Sequence, residues 1–133
     1  MKKLLTISCL ALLAACARDE PLRADANDEA RLSAELRDYA SAGPAVSCVS
    51  TRNLRGNRSA GEGAVIFQAG PGRLWVNRPP AGCPELDSGR ALEIRTTSTQ
   101  LCRGDIASVF DPVSGFHFGA CSLGDFEPYR RNR

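Results

Sequence analysis

The sequence predicts a mainly β domain, with one helix on its amino-terminal side and a small antiparallel sheet or barrel stapled by two disulfides. Three observations predict it. Short apolar runs alternate with polar residues and are separated by Gly- and Pro-rich turns. A single segment, residues 28–40, has helical spacing. Four cysteines follow the amino-terminal region, and the 133-residue chain is long enough for one domain only.

The helix is predicted from the spacing of three residues in 28–40. Leu32, Leu36 and Tyr39 fall at i, i+4 and i+7, which places them on one face of a helix. Pro44 lies soon after and cannot continue a helix. Because the apolar stripe is narrow, we expect this helix to cover an edge of its own domain rather than to dock on a partner.

The strongest strand signal is a hairpin formed by residues 64–68 and 73–77. The four residues that connect them, 69–72, are rich in turn formers, as hairpin connections are. Shorter alternating or apolar runs predict the remaining strands, at residues 49–54, 92–95, 106–110 and 116–121.

The first residues are typical of an exported lipoprotein precursor. Residues 1–15 carry two lysines and then a short apolar run, which is the layout of a signal peptide and too short for a spanning helix. Leu13-Ala14-Ala15-Cys16 resembles the bacterial lipobox, so we expect Cys16 to carry the lipid that anchors the protein to the membrane. By resemblance to enterobacterial sorting signals, Ala17 in place of Asp after the cysteine favours the outer membrane over the inner one, and we expect the protein on its periplasmic face. Cleavage after Ala17 and soluble secretion is the alternative.

The predicted organisation of the mature chain follows from this cleavage. Residues 16–27 are expected to be a lipidated flexible tether, 28–129 the disulfide-bonded domain, and 130–133 a frayed basic tail. Without Lys2 and Lys3 the charges balance, so we expect no nucleic-acid partner. The expected partners are the membrane, through the lipid, and an envelope protein.

The four domain cysteines predict two disulfides. An even number of cysteines in a small exported domain indicates disulfide bonding, and four allow three pairings. We expect Cys83 to pair with Cys102, and Cys48 with Cys121, which would tie the first strand to the last. The spacing lacks the close pairs of zinc sites and the C-x-x-C of redox proteins, so neither a metal nor another cofactor is expected.

No set of residues predicts catalysis. His117 is the only histidine and is expected to be exposed on its strand, without a catalytic role. Asp105 and Asp111 bracket one predicted strand, which would hold them too far apart for glycosidase chemistry. The sequence therefore predicts a protein that is not an enzyme.

Aromatic residues are the main candidates for ligand binding. Trp75 with Phe67 is a possible ligand platform on the hairpin, and Phe116 and Phe118 could extend it. In a domain with so few aromatics, burial in the core is the favoured interpretation for all four.

The segment from Cys48 to Tyr129 resembles a group of proteobacterial lipoproteins, frequent in sphingomonads, for which no activity is known. The resemblance implies a four-cysteine exported domain and transfers no functional residue. The matching runs are residues 47–49, 76–78, 83–86, 101–106 and 121–129.

The sequence thus predicts an exported lipoprotein that binds a partner or strengthens the cell envelope. The alternatives are a small β-barrel that binds a hydrophobic or sugar ligand near Trp75, and an enzyme or enzyme inhibitor. A pocket lined by Trp75 and polar groups would favour ligand binding, and converging titratable groups would favour an enzyme.

Overall fold

The structure is a computed structural model that describes residues 26–87 and 89–133. The predicted signal peptide, the lipid-bearing Cys16 and residues 17–25 of the tether lie outside the described residues. Within the described ranges, no helix has the length and apolar character needed to cross a membrane.

The described chain contains one α-helix and ten short strands. The helix α1 spans Ala26–Glu35, and a single 3-10 turn spans Thr51–Asn53. The strands are β1 Tyr39–Ser41, β2 Cys48–Ser50, β3 Gly56–Ser59, β4 Val65–Gln68, β5 Arg73–Asn77, β6 Ala91–Glu93, β7 Gln100–Cys102, β8 Ile106–Phe110, β9 His117–Ser122 and β10 Phe126–Arg131.

These strands form one larger antiparallel sheet and two smaller ones. The larger sheet has the order β1-β10-β5-β4-β3. The smaller sheets, β6-β8-β9 and β2-β7, together form what we call the second β layer. The predicted fold class, mainly β with one helix and two disulfides, is confirmed, and the sheets are not closed as a barrel.

Each face of the five-stranded sheet is covered by a different layer. On one face, Ile66, Leu74 and Val76 are buried in a cluster with Leu32 of α1. The other face contributes Phe67 and its neighbours to a larger cluster shared with the second β layer. Because side chains alternate along a strand, both faces of β4 and β5 are apolar, as expected for strands buried between two layers.

The helix is shorter than predicted. The expected span, 28–40, is replaced by Ala26–Glu35, so residues 26 and 27 belong to the helix and not to the tether. Tyr39 begins β1 and pairs with Arg131 of β10. Pairing with the sheet edge outweighs the weak helical preference of residues 36–40, because secondary-structure propensity is a small term beside tertiary contacts.

The predicted 64–68/73–77 hairpin is confirmed as β4 and β5, with Val65 opposite Asn77. The prediction of a frayed tail is wrong for its first two residues, since Arg130 and Arg131 belong to β10. Arg130 pairs with both neighbouring strands, and Arg131 pairs with Tyr39 of β1 and donates its N–H to the Gly72 carbonyl. The charge of these arginines favours exposure to solvent, which is why a frayed tail is expected. Hydrogen bonds to neighbouring segments nevertheless satisfy the backbone here and hold it in place.

All four domain cysteines form disulfides, but the expected pairing is wrong. Cys48 bonds Cys102, and Cys83 bonds Cys121. The reason is strand β7, which no pattern in the sequence predicts. It pairs with β2 so that Cys48 and Cys102 lie directly opposite each other, with Cα atoms 4.0 Å apart.

Two asparagines on the larger sheet bind other segments through paired hydrogen bonds to their backbone: Asn77 binds the β9–β10 connection, and Asn57 binds β6 of the second β layer. Asn77, fully buried, donates from Nδ2 to the Gly124 carbonyl and accepts from the Gly124 N–H, both at 2.8 Å. Asn57 does the same with Leu92, also at 2.8 Å. Gly124 tolerates this approach because it has no Cβ; a Cβ there would collide with the Arg78 carbonyl.

Asn77→Ala should lower the free energy of unfolding by about 2–4 kcal/mol, because it leaves two buried backbone groups of Gly124 without partners. Urea unfolding followed by far-UV circular dichroism measures the change. Asn53→Ala is the matched control: Asn53 is exposed, and its replacement should change stability by less than about 0.5 kcal/mol. Equal effects of the two substitutions would contradict this account of Asn77.

Candidate functional site

An open groove of about 320 Å³ lies at the end of the five-stranded sheet where the β4–β5 turn sits. We call it the Trp75 groove. Strands β5 and β10 form its floor, and the segment after β1 together with the 3-10 turn flanks it. Its lining is Ala42, Gly43, Pro44, Val46, Asn53, Ala69, Arg73, Leu74, Trp75, Pro128, Tyr129 and Arg130.

The floor of the groove consists of two cross-strand rows with different chemistry. Trp75 lies opposite Pro128, which gives an apolar row, and Arg73 lies opposite Arg130, which gives a cationic row. Because residues two apart on a strand share a face, both rows project from the same side of the sheet. Residues two apart on a strand lie about 7 Å apart, so one ligand can contact both rows.

The cationic row has no acidic partner in the described part of the chain. None of the described residues that line the groove is acidic, and neither Arg73 nor Arg130 takes part in an ion pair within residues 26–87 and 89–133. Like charges directly opposite each other on a sheet are unfavourable. Two guanidinium groups held this way are suited to bind a carboxylate or phosphate, to which arginine donates in a planar fork.

Of the two residues of the predicted ligand platform, Trp75 lines the groove and Phe67 does not. Phe67 is 1% exposed and packs against Phe126, with ring centroids 5.7 Å apart, so it belongs to the core. Trp75 is half-buried and lines the groove. Sequence reasoning missed Arg73 and Arg130. The spacing of Arg73 and Trp75, two residues apart on a predicted strand, is a signal that could have found Arg73. Arg130 offers no such signal, because its segment is charged and its strand partner lies far away in the sequence.

The aromatics at the β8–β9 turn, unlike Phe67, are not in the core. Phe116 is 70% exposed and Phe118 is 38% exposed, against the expectation that they would be buried. They lie at the end of an edge strand, where no further layer covers them in the described structure. They are remote in the sheet order from Trp75 and do not line its groove.

His117 is exposed, as predicted, and its ring Nε2 lies 2.7 Å from Oε2 of Glu93. The hydrogen bond with His117, and then the one from Arg95, hold the pKa of Glu93 below its ordinary value. Asp105 and Asp111 flank the five residues of β8, about 20 Å apart along an extended strand. In residues 26–87 and 89–133, no group of three or more His, Cys, Asp or Glu could hold a metal ion.

Comparison with known families gives one match that covers nearly the whole chain. The model of a family of unknown function, DUF6491, matches residues 1–125. The chain belongs to DUF6491. The match agrees with the expected membership of a family without known activity. No curated protein and no solved structure matches this DUF6491 chain.

Repulsion between Arg73 and Arg130 should lower the free energy of unfolding of this DUF6491 chain, as expected if the pair serves binding rather than stability. Arg130→Glu places opposite charges across β5 and β10 and should raise the free energy of unfolding by about 0.2–1 kcal/mol at low salt. The gain should shrink in 1 M NaCl, since salt screens exposed charges. Urea unfolding checks both values. Arg133→Glu, which changes an exposed residue beyond the strand, is the control, and a loss of stability in Arg130→Glu alone would contradict the argument.

Proposed function

We propose that this protein is a lipid-anchored binding protein of the bacterial envelope, which holds a small organic anion in the Trp75 groove. The ligand carries a carboxylate or phosphate on an apolar or sugar body. The protein acts by binding and not by catalysis, and it resides on the periplasmic face of the outer membrane. Its relation to proteobacterial, sphingomonad-type lipoproteins belongs to the same proposal.

The observation that carries the binding proposal is the pair of rows on the groove floor. Trp75 and Pro128 offer an apolar surface, and Arg73 and Arg130 offer two guanidinium groups next to it. Aromatic faces stack on apolar and sugar surfaces, and paired arginines neutralise one anionic group. The groove therefore favours a small ligand over a flat protein partner, for which a concave site is not needed.

Binding without catalysis is supported by the composition of the groove. The described residues that line it include no His, Cys, Ser, Asp or Glu, the side chains that most often serve as nucleophile or general base. Two arginines can neutralise an anion but have no proton to exchange near neutral pH, since the guanidinium stays protonated.

The anchor is supported by the order of residues around Cys16. A leucine and two small residues precede it, and polar residues follow from Arg18. Residues 17–25 then separate Cys16 from the first described residue of α1. This arrangement gives the domain a lipid at one end of a short connecting segment.

Cys16→Ala should abolish incorporation of radiolabelled palmitate into the protein expressed in a Gram-negative host, because the thiol that carries the lipid is lost. Immunoprecipitation followed by autoradiography measures the label. Cys9→Ala is the matched control, since Cys9 lies within the signal peptide that is removed, and it should be labelled as fully as the native chain. Labelling of the Cys16→Ala protein would contradict lipidation at this site.

For the groove, Trp75 is the only tryptophan and reports directly on binding. Its fluorescence should change on titration with dodecanoate or dodecyl phosphate, each below its micelle concentration, and should not respond to dodecanol. Arg73→Gln and Arg130→Gln should each weaken binding of the anionic probes about tenfold or more, because a hydrogen bond to a charged group contributes about 1.5–3 kcal/mol.

Arg37→Gln is the control for the titration, since Arg37 is exposed in the turn after α1 and does not line the groove. Comparison of the two anionic probes distinguishes a carboxylate from a phosphate ligand. Equal affinity for dodecanol and the anions would contradict a role for the arginine row, and the absence of any response to the probes would contradict binding of this class of ligand.

A further inference from the structure

The tip of the β8–β9 hairpin carries the most exposed apolar side chains of the described structure. Val113 is 94% exposed and Phe116 is 70% exposed, and Phe118 follows on β9. Contiguous exposed apolar residues mark a site of interaction with a protein or a membrane. We call Val113, Phe116 and Phe118 the apolar tip.

Backbone and side-chain hydrogen bonds fix the conformation of this turn. Asp111 accepts from the Val113 N–H at 2.7 Å through its side chain, and its carbonyl accepts from the Gly115 N–H at 2.7 Å. Its own N–H donates to the Phe116 carbonyl at 2.9 Å. The apolar tip is therefore a formed projection of the hairpin rather than a loose loop.

A chain of contacts connects the apolar tip to the amino terminus of α1. Asp28, in the first turn of α1, accepts from the Gly63 N–H at 3.1 Å. Next to Gly63, Glu62 accepts from the Glu85 N–H at 2.8 Å, and Glu85 accepts from Arg90. The Arg90 guanidinium carbon then lies 3.8 Å from the centre of the Phe118 ring.

The length of chain that precedes α1 restricts what this end of the domain can face. Nine residues, 17–25, connect Cys16 to the first described residue, and nine residues span at most about 32 Å. A lipid on Cys16 would therefore keep the first turn of α1, and with it the apolar tip, close to the bilayer surface.

We propose that the apolar tip inserts into the interface of the bilayer that holds the Cys16 lipid, and so fixes the orientation of the domain. This rests on the lipid anchor of the proposed function. Val113 and Phe116 are exposed in the turn of a hairpin, and a fluid lipid interface accommodates such side chains without a matching pocket. Aromatic side chains are favoured in this interfacial region of a membrane.

Tryptophan quenching by brominated lipid tests the insertion. The lipidated mature protein is placed in vesicles of phosphatidylcholine and phosphatidylglycerol, with or without bromine on the acyl chains. In the double variant Trp75→Phe/Phe116→Trp, the single tryptophan is at the tip and should be quenched at least twofold by brominated lipid. In the native protein the single tryptophan is Trp75, in the groove, and its emission should not change.

Both substitutions keep an aromatic ring, and unchanged thermal unfolding of the double variant confirms that it is folded. Flotation with the vesicles reports on the anchor separately from the tip. Should the protein carry no lipid, the mature chain held on nickel-chelating lipid by an amino-terminal histidine tag gives the same readout for the tip. Equal tip fluorescence in plain and brominated vesicles overturns the proposal. That result is also the one expected if an envelope protein, rather than lipid, covers the tip.

Discussion

The fold depends on how the second β layer is held against the five-stranded sheet. Inside the core, Asn77 fixes the connection that leads from β9 of this layer to β10: its side-chain amide takes both backbone hydrogen bonds of Gly124, as a neighbouring strand would. A buried polar group is tolerated only when its partners are complete, and this one has two good bonds and no exposure. Asn57 makes the same pair of hydrogen bonds with the backbone of Leu92 in β6. The Cys83–Cys121 disulfide joins the segment after β5 to β9 of the same layer. With these contacts in place, Phe67 and Phe126 are covered.

The extent of the second layer also explains why a groove exists. The layer covers the part of the sheet around Asn77, but the other end of β5 and β10 extends past it. There Trp75 is only half-buried and Arg73 is exposed. A sheet face without a covering layer would ordinarily be polar and of mixed charge, which disperses like charges. The opposed Arg73 and Arg130 depart from that pattern, and their exposed side chains do not belong to the core. An arrangement of charges that lowers the stability of the fold is expected where the surface serves in binding.

Sequence patterns identified the elements whose signal is local. The β4–β5 hairpin was predicted because both strands and the turn are contiguous, and β8 because its alternation is complete within five residues. Strands β1, β3, β7 and β10 have no such local signal. Partners far along the chain stabilise β1, β7 and β10, and β3 is polar throughout. The disulfide pairing failed for the same reason, since only the β2–β7 register brings Cys48 to Cys102. The arginine row required the β5–β10 register, so Trp75 alone was visible as a candidate.

The positions of the groove and the apolar tip bear on each other. Strand β5 runs from Arg73 in the groove to Asn77, beside the end of the domain where α1 begins, and five residues of strand place these ends about 13 Å apart. A domain whose tip contacts the bilayer would therefore present the arginine row away from the lipid surface. This orientation matters for an anion site, because an anionic bilayer would compete for guanidinium groups held against it. If the anchor and the tip act as proposed, they set the direction in which the groove faces, away from the bilayer and towards soluble ligands.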